Sequence, residues 1–295
     1  MIFPIFWPSR INFLSFFELA SKAILNGLPF SMIRLGDGEG AIMAMGDESM
    51  QKHVDACFAC WFGNQIIVES DRLIIKQLLM DSVLSSDVIG LPRYAQLDKT
   101  IRYAKVFEYF PTAEKCISPL FVDSAVHFYL QWSRALSLLM RMASRIIVIG
   151  PRDIDGKLAS VTNVPIVQWL VKGEAAFPGI VTQHHWRKRY DEVINLIDLH
   201  AGPGDLVLVG AGILGKSYVS AARTKGCVGL DVGSVIDGWD NVLSRNGRIT
   251  DSPVFGIDYL AQELSYNEDP VRSMHNMMKN LIESVPFSSI PDPTV

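Results

Sequence analysis

Apolar and polar positions along the chain follow two alternating periods, and these periods predict strands and helices in turn. Short apolar runs bounded by glycine or proline predict buried strands, whereas spacings of three and four residues predict amphipathic helices. The predicted strands are at residues 30–35, 87–92, 116–118, 145–150, 161–167, 205–210 and 226–233. The predicted helices are at residues 13–26, 41–45, 53–62, 71–84, 97–110, 124–142, 186–199, 214–224 and 270–284.

This alternation predicts an α/β fold with a mostly parallel, Rossmann-like sheet and helices on both faces. In such sheets, ligands bind at the carboxyl ends of strands, near a switch in strand order. The sequence places Asp37, Gly210 and Asp231 at predicted strand ends. We expect three regions. They are an N-terminal helical and aromatic extension at 1–29, the main domain at 30–245, and a C-terminal helix and tail at 246–295 packed on the same domain.

Composition narrows the class of protein. The chain has 295 residues, of which 49% are hydrophobic and 20% charged, so it can bury a large core. A formal net charge of −4 disfavours a general nucleic-acid binder, and we expect no nucleic-acid partner. The four cysteines form no disulfide framework, which is typical of the reducing cytoplasm. Cys57 and Cys60 have C-x-x-C spacing, but a second ligand pair for zinc is missing, so core packing is the favoured interpretation.

The N-terminus is aromatic, but Pro4, Pro8 and Arg10 interrupt it, and no apolar run has the length of a membrane span. We therefore expect a cytoplasmic protein whose N-terminus packs on the domain. Contact with the inner face of a membrane, or with a protein partner, is the alternative for this segment. No sequence feature specifies an oligomeric state.

The most informative stretch follows the first predicted strand and reads Gly-Asp-Gly-Glu-Gly at residues 36–40. The small residues permit a sharp turn and a close approach of the backbone to a ligand. Asp37 and Glu39 lie two positions apart, so they are able to share Mg²⁺ or Mn²⁺, which also binds phosphate oxygens. The alternative is a helix N-terminus with Asp37 as the cap and Glu39 in the first turn.

A second glycine-rich turn at residues 210–217 fits two nucleotide-binding patterns. As G-x-G-x-x-G, it uses Gly210 and Gly212 and is followed by Asp231 at the end of the next strand, as in dinucleotide sites. As G-x-x-x-x-G-K-S, it places Lys216 on phosphate and Ser217 on magnesium. Only residues 218–295 follow, which leaves little room for either nucleotide domain. A third interpretation is a tightly packed turn whose helix amides can bind an anion.

Three further polar segments are candidates for chemistry. Arg152, in the loop at 150–157, and Arg187, in a basic run at 184–190, are suited to a phosphate, although solvated surface explains both runs equally well. One of Asp231, Asp237 and Asp240 is a candidate base for an acceptor hydroxyl, and capping or turn formation is the alternative role of these carboxylates. No G-x-S-x-G or His-Glu-x-x-His motif supports a hydrolase.

The stretch at residues 30–39 resembles the opening signature of the GT-D type glycosyltransferases, a strand that reads S-[LI]-I-R-[FY]-G-D-G-E. Similar segments follow in the same order at 146–152, 206–215 and 229–234, so the resemblance covers residues 28–242. This sequence departs from the pattern at Leu35, where an aromatic residue is usual, and at Gly40, where a bulkier residue is usual.

The resemblance implies sugar transfer from a UDP-sugar donor to a glycan or glycoconjugate acceptor, assisted by Mn²⁺ or Mg²⁺. On it, Asp37 and Glu39 would be catalytic and hold the metal and diphosphate, and Asp237 would be the base. The residue patterns and the resemblance together predict these donor-binding residues: Arg34, Gly36, Gly38, Arg152, Arg187, Gly210, Gly212 and Asp231. Two alternatives stay open: an NAD(P)- or other nucleotide-dependent enzyme that uses residues 210–215, and a non-catalytic partner in glycan assembly.

Overall fold

A seven-stranded sheet organises the part of the chain that the computed structural model describes, namely residues 9–97, 99–111, 119–159, 162–242, 244 and 256. All its strand pairings are parallel. The strands are β1 (Phe30–Arg34), β2 (Val88–Leu91), β3 (Leu120–Asp123), β4 (Arg145–Gly150), β5 (Ile166–Leu170), β6 (Asp205–Val209) and β7 (Val228–Asp231). Their order across the sheet is β3-β2-β1-β7-β6-β4-β5.

Helices cover both faces of this sheet. They are α1 (Phe13–Leu25), α2 (Asp37–Met43), α3 (Gln51–Phe62), α4 (Glu69–Ser85), α5 (Tyr94–Leu97), α6 (Ile101–Glu108), α7 (Val126–Trp132), α8 (Ala135–Met142), α9 (Asp155–Ala159), α10 (Tyr190–His200), α11 (Gly215–Thr224) and α12 (Val235–Trp239). Successive strand residues point to opposite faces. Ile33 therefore belongs to the core cluster that includes residues of α2, α3, α4 and α11, whereas Met32 belongs to the cluster that includes residues of α1, α7, α8 and α12. The predicted fold class, α/β with a mostly parallel sheet and helices on both faces, is confirmed.

The strand order brings distant segments to one edge of the sheet. From β1 the chain moves outwards through β2 to β3, and from β4 it moves to β5 at the opposite edge. Strands β6 and β7 then fill the gap between β4 and β1. The carboxyl ends of β1, β7, β6 and β4 consequently lie side by side in the middle of the sheet, which is where parallel sheets bind ligands.

Several predicted boundaries differ from the structure for local reasons. The predicted helix at 124–142 is two helices, α7 and α8, because Arg134 has a left-handed φ of 68° between them. The strand predicted at 161–167 begins at Ile166, directly after Pro165, which has no N–H to donate to the sheet.

Helix α2 begins at Asp37, four residues before the helix predicted at 41–45, and strand β3 had no counterpart among the predicted strands. The strand predicted at 116–118 and the helix predicted at 270–284 lie outside the described residues.

The helical part of the predicted N-terminal extension packs on the same sheet. The Asn12 side chain caps α1 by accepting a hydrogen bond from the Ser15 backbone N–H at 2.8 Å. Phe16, Phe17 and Ile24 are then buried in the cluster that includes strand residues of β1 and β7. Among the described residues, no helix is both long enough and apolar enough to cross a membrane.

Candidate functional site

A cavity of about 1050 Å³ opens at the carboxyl ends of β1, β4, β6 and β7. Helices α3 and α6 supply further walls. Ten of the predicted site residues line it: Arg34, Gly36, Asp37, Gly38, Glu39, Arg152, Gly210, Gly212, Asp231 and Asp237. The structure therefore brings together, in one cavity, residues that come from four separate strand ends.

The Asp37–Glu39 turn forms the start of α2. Gly36 precedes the helix, and its backbone N–H donates to Glu39 Oε2 at 2.8 Å, so the Glu39 side chain folds back over the turn. Glu39 is only 7% exposed, whereas the Asp37 side chain is 39% exposed and pairs with Arg102 of α6, with Asp37 Oδ2 2.6 Å from Arg102 Nη2. The two carboxylates thus lie in different surroundings, although they are two residues apart.

Behind this turn is a buried ion cluster that consists of Arg34, Glu39, Lys216 and Asp231. Lys216 Nζ lies 2.7 Å from Glu39 Oε1 and 3.1 Å from Asp231 Oδ2. Arg34 Nη2 lies 2.9 Å from Asp231 Oδ1, and its Nε donates to the Asp231 carbonyl oxygen at 3.0 Å. The Arg34 guanidinium also contacts the ring of His127. The cluster joins the ends of β1 and β7 to the first turns of α2 and α11.

Mutual charge within the cluster shifts the pKa values of Glu39, Asp231 and Lys216 in favour of their ionised forms despite burial. Burial alone would raise the pKa of Glu39, but the Lys216 ammonium and the Gly36 N–H outweigh it, and the pKa of Glu39 is lowered. Burial likewise opposes ionisation of Asp231, yet Arg34 and Lys216 lower its pKa. The pKa of Lys216 is raised because Asp231 and Glu39 outweigh its own burial.

Of the two carboxylates at Asp37 and Glu39, only that of Asp37 is placed to bind a divalent cation in the cavity. Both Glu39 oxygens are engaged inside the protein, one by Lys216 and the other by Gly36. Asp37 faces the cavity, and one carboxylate together with substrate phosphates is a usual ligand set for Mg²⁺. Within the described ranges, no group of three or more His, Cys, Asp or Glu side chains is arranged to hold a metal.

Trp61 of α3 explains two of the predicted glycines. A Cβ on Gly38 would lie 2.7 Å from Trp61 Cη2, and a Cβ on Gly212 would lie 3.0 Å from Trp61 Cδ1. The indole therefore spans the turns that follow β1 and β6, and its edges occupy the space that side chains would need. Gly212 also has a φ of +59°, which L side chains rarely adopt.

The turn at residues 210–215 makes packing contacts in place of the phosphate and ribose contacts that the two nucleotide-binding patterns predict. A Cβ on Gly210 would lie 2.6 Å from the Gly233 carbonyl oxygen. Lys216, the phosphate ligand of the P-loop interpretation, is 4% exposed and held by two carboxylates. Asp231, the ribose ligand of the dinucleotide interpretation, is 3% exposed and bound to Arg34 and Lys216.

Elsewhere in the cavity lining, Arg152 and Asp237 form an ion pair. Arg152 Nε lies 2.7 Å from Asp237 Oδ1, and Arg152 Nη2 donates to the Phe177 carbonyl oxygen at 3.0 Å. Ser244 Oγ donates to Asp237 Oδ2 at 2.5 Å. The candidate base is therefore held by two hydrogen-bond donors at the cavity wall.

Two other features of the sequence are Arg187 and the C-x-x-C pair of Cys57 and Cys60. Arg187 is not among the lining residues; its side chain is 58% exposed and faces Asp71 and Asp191 at 3.8 and 3.9 Å. Cys57 is buried as predicted, and burial raises the pKa of its thiol to about 11. Cys60 is exposed and lines the cavity, so core packing does not describe it.

Sequence patterns gave no role to several lining residues. Arg102, Trp61, Lys172 and Glu174 belong to the cavity wall, but each lies in a segment without a ligand-binding motif. Lys216 carried a signal, since it is the lysine of the P-loop pattern, but its contacts are with carboxylates and not with an exposed phosphate site.

Comparison with known proteins matches most of the chain to one family. The family model for the GT-D fold-like domain matches residues 14–239. A structure of "the highly conserved domain of unknown function 1792", described as having a distinct glycosyltransferase fold, is 19% identical over 76% of this chain and 79% of that chain, with a TM-score of 0.45. A "new glycosyltransferase" from Streptococcus sanguinis is 15% identical over 79% of this chain and 85% of that chain, with a TM-score of 0.46. No curated protein matches the sequence.

Proposed function

The chain belongs to the GT-D-like family, it is a glycosyltransferase, and we propose that it moves a sugar from a UDP-sugar to a glycan or glycoconjugate acceptor with the help of Mn²⁺ or Mg²⁺. The observation that carries the proposal is the cavity at the ends of β1, β4, β6 and β7, with the Asp37 carboxylate opening into it. Its volume of about 1050 Å³ is at the upper end for small-molecule sites, as a nucleotide sugar requires.

Charge in the cavity wall supports a requirement for a divalent cation. The lining cations are Arg34, Arg102, Arg152, Lys172 and Lys216, and the lining carboxylates are Asp37, Glu39, Glu174, Asp231 and Asp237. Among the described lining residues, five charges of each sign leave no excess positive charge to offset a diphosphate. Most of these cations are also already paired with carboxylates of the wall. A metal ion that enters with the donor would supply the missing charge.

Asp37 is the residue that we propose to hold this ion, with Arg102 fixing its carboxylate through the 2.6 Å contact. When bound, such an ion stabilises the negative charge that develops on the departing nucleoside diphosphate. The start of α2 adds helix amides at the same edge of the cavity, and such amides favour anions. Arg34 orients the turn indirectly, because it fixes Asp231 and through it Lys216.

The transfer itself forms one bond and breaks another. The acceptor hydroxyl oxygen bonds to the anomeric carbon of the sugar, the bond from that carbon to the diphosphate oxygen breaks, and the diphosphate leaves with the bonding electrons. The hydroxyl proton passes to a base, for which Asp237 is our candidate. Arg152 and Ser244 orient its carboxylate at the cavity wall.

A panel of UDP-sugars, incubated with Mn²⁺ with and without glycan acceptors, tests the proposal through the UDP that is released. We expect release with at least one donor, and a loss of at least about a hundredfold in Asp37→Asn and Asp237→Asn. Asp198→Asn is the matched control, since Asp198 is an exposed carboxylate paired with Lys225 and is not among the lining residues. UDP binding without release from any donor would instead indicate a non-catalytic partner in glycan assembly.

A further inference from the structure

The contacts of Glu39 are those of a structural anion. Oε2 accepts the Gly36 N–H at 2.8 Å, and Oε1 lies 2.7 Å from Lys216 Nζ. The side chain is 9% exposed and lies on the inner side of the turn, whereas the Asp37 side chain, two residues earlier, is 39% exposed at the cavity. The two carboxylates of the motif therefore do not present themselves to one ion in the same way.

Lys216 is matched to its surroundings just as closely. Its ammonium has three N–H donors, and three acceptors lie around it: Glu39 Oε1 at 2.7 Å, Asp231 Oδ2 at 3.1 Å and the Gly212 carbonyl oxygen at 3.2 Å. Each donor thus has an acceptor within the protein. Lys216 is consequently placed to join three segments, the turns after β1 and β6 and the end of β7.

The charge balance of the buried ion cluster depends on Glu39. Arg34 and Lys216 are its two cations, and Glu39 and Asp231 are its two anions. If Glu39 turned outwards to bind a metal, the buried Lys216 and the half-buried Arg34 would share Asp231 alone. Leaving a buried charge uncompensated is strongly unfavourable, so the pair with Lys216 opposes such a movement.

On these grounds we infer that Glu39 is a positioning residue and not a metal ligand, and that Asp37 is the single carboxylate of the motif that binds the donor-associated cation. The inference rests on the metal-assisted transfer proposed above. Glu39 holds Lys216 and Gly36, and through them it fixes the start of α2, from which Asp37 reaches the cavity.

Calorimetric titration of UDP in Mn²⁺ and in EDTA separates the two roles. The Kd in EDTA divided by the Kd in Mn²⁺ reports the metal contribution alone. We expect Asp37→Asn to lower this ratio by at least about tenfold. Glu39→Gln is expected to weaken UDP binding in both conditions while keeping the ratio within about threefold of wild type. Asp198→Asn is the control that leaves both Kd values unchanged.

Two further measurements keep the test decisive if Glu39→Gln does not fold. The double variant Glu39→Gln/Lys216→Met removes one charge of each sign and is expected to keep the ratio. A wild-type crystal with Mn²⁺ and UDP is expected to show the anomalous Mn²⁺ peak at Asp37 and not at Glu39. A ratio that collapses in the Glu39 variants as it does in Asp37→Asn, or Mn²⁺ bound to Glu39, would overturn the inference. If Mn²⁺ does not change the affinity of the wild-type protein for UDP, the metal has no part in the proposed function, and the inference fails with it.

Discussion

Gly40→Ala tests the packing that places Arg102 beside Asp37. Gly40 lies in α2, and a Cβ there would be 2.0 Å from the Arg102 backbone carbonyl oxygen and 3.0 Å from Val106 Cγ2. Real Cβ contacts essentially never fall below 3.0 Å, so α2 and α6 must separate by roughly 1 Å. Overpacking costs about 1–3 kcal/mol, and the upper end applies because the obstacle is backbone. The higher helix propensity of alanine offsets about 0.5–1 kcal/mol of this cost, so we expect the free energy of unfolding to fall by about 2 kcal/mol.

Gly156→Ala is the matched control. Gly156 lies in α9, and no atom is within 4 Å of a Cβ built there, so the same substitution is expected to stabilise by about 0.5–1 kcal/mol. Urea denaturation followed by circular dichroism measures both free energies of unfolding. Gly40→Ala is also expected to weaken UDP binding, because it displaces the Arg102 partner of Asp37. Equal stability of the two variants would refute the described contact between α2 and α6.

Three further predictions follow from the cavity and its buried ions. Lys216→Met strands the buried Glu39 carboxylate, so urea denaturation is expected to show a loss of about 3–5 kcal/mol, and a loss below about 1 kcal/mol would contradict the ion cluster. The folded-state pKa values of Glu39 and Asp231 are depressed. The stability that the two ionised carboxylates contribute is therefore present above the unfolded pKa of about 4 and is lost as pH falls through the folded-state pKa values. The free energy of unfolding should therefore fall on acidification from pH 5, and this acid-dependent part should shrink in Lys216→Met; an unchanged pH profile in that variant would contradict the coupling. In a Cys116→Ser background, a maleimide is expected to label Cys60 first, and UDP with Mn²⁺ is expected to slow labelling; equal rates with and without UDP would place the ligand elsewhere.

Much of the fold follows from local sequence pattern. The bounds predicted for β4 and β6 agree with the structure within a residue, because a continuous apolar run that is buried on both faces has a clear signature. Local backbone events set the errors. The sequence around Arg134 does not predict its left-handed φ, and Pro165 moves the start of β5 to Ile166. Strand β3 has four residues and sits at the edge of the sheet, so it left little periodic signal.

The site was predictable in position but not in its internal contacts. Glycines and acids at strand ends indicated Asp37 and Asp231, since parallel strands bring their carboxyl ends to one edge. Nothing local links Glu39 to Lys216, which lies far along the chain and meets it only because β7 and α11 pack beside β1. Trp61 and Arg102 likewise reach the cavity from α3 and α6, to which the sequence patterns assigned no nucleotide-binding role. The metal-ligand pattern of the motif therefore described residue types and spacing, whereas tertiary contacts decide which oxygens face the cavity.

Calorimetric titration of the wild-type protein with UDP in the presence of Mn²⁺, with NAD as the competing ligand, tests the proposed donor site most directly. We expect that UDP binds, that EDTA weakens its binding, and that NAD neither binds nor displaces it. Binding of NAD without binding of UDP would contradict the glycosyltransferase site. It would move the ligand to the turn at residues 210–215 and restore the dinucleotide interpretation of Gly210, Gly212 and Asp231.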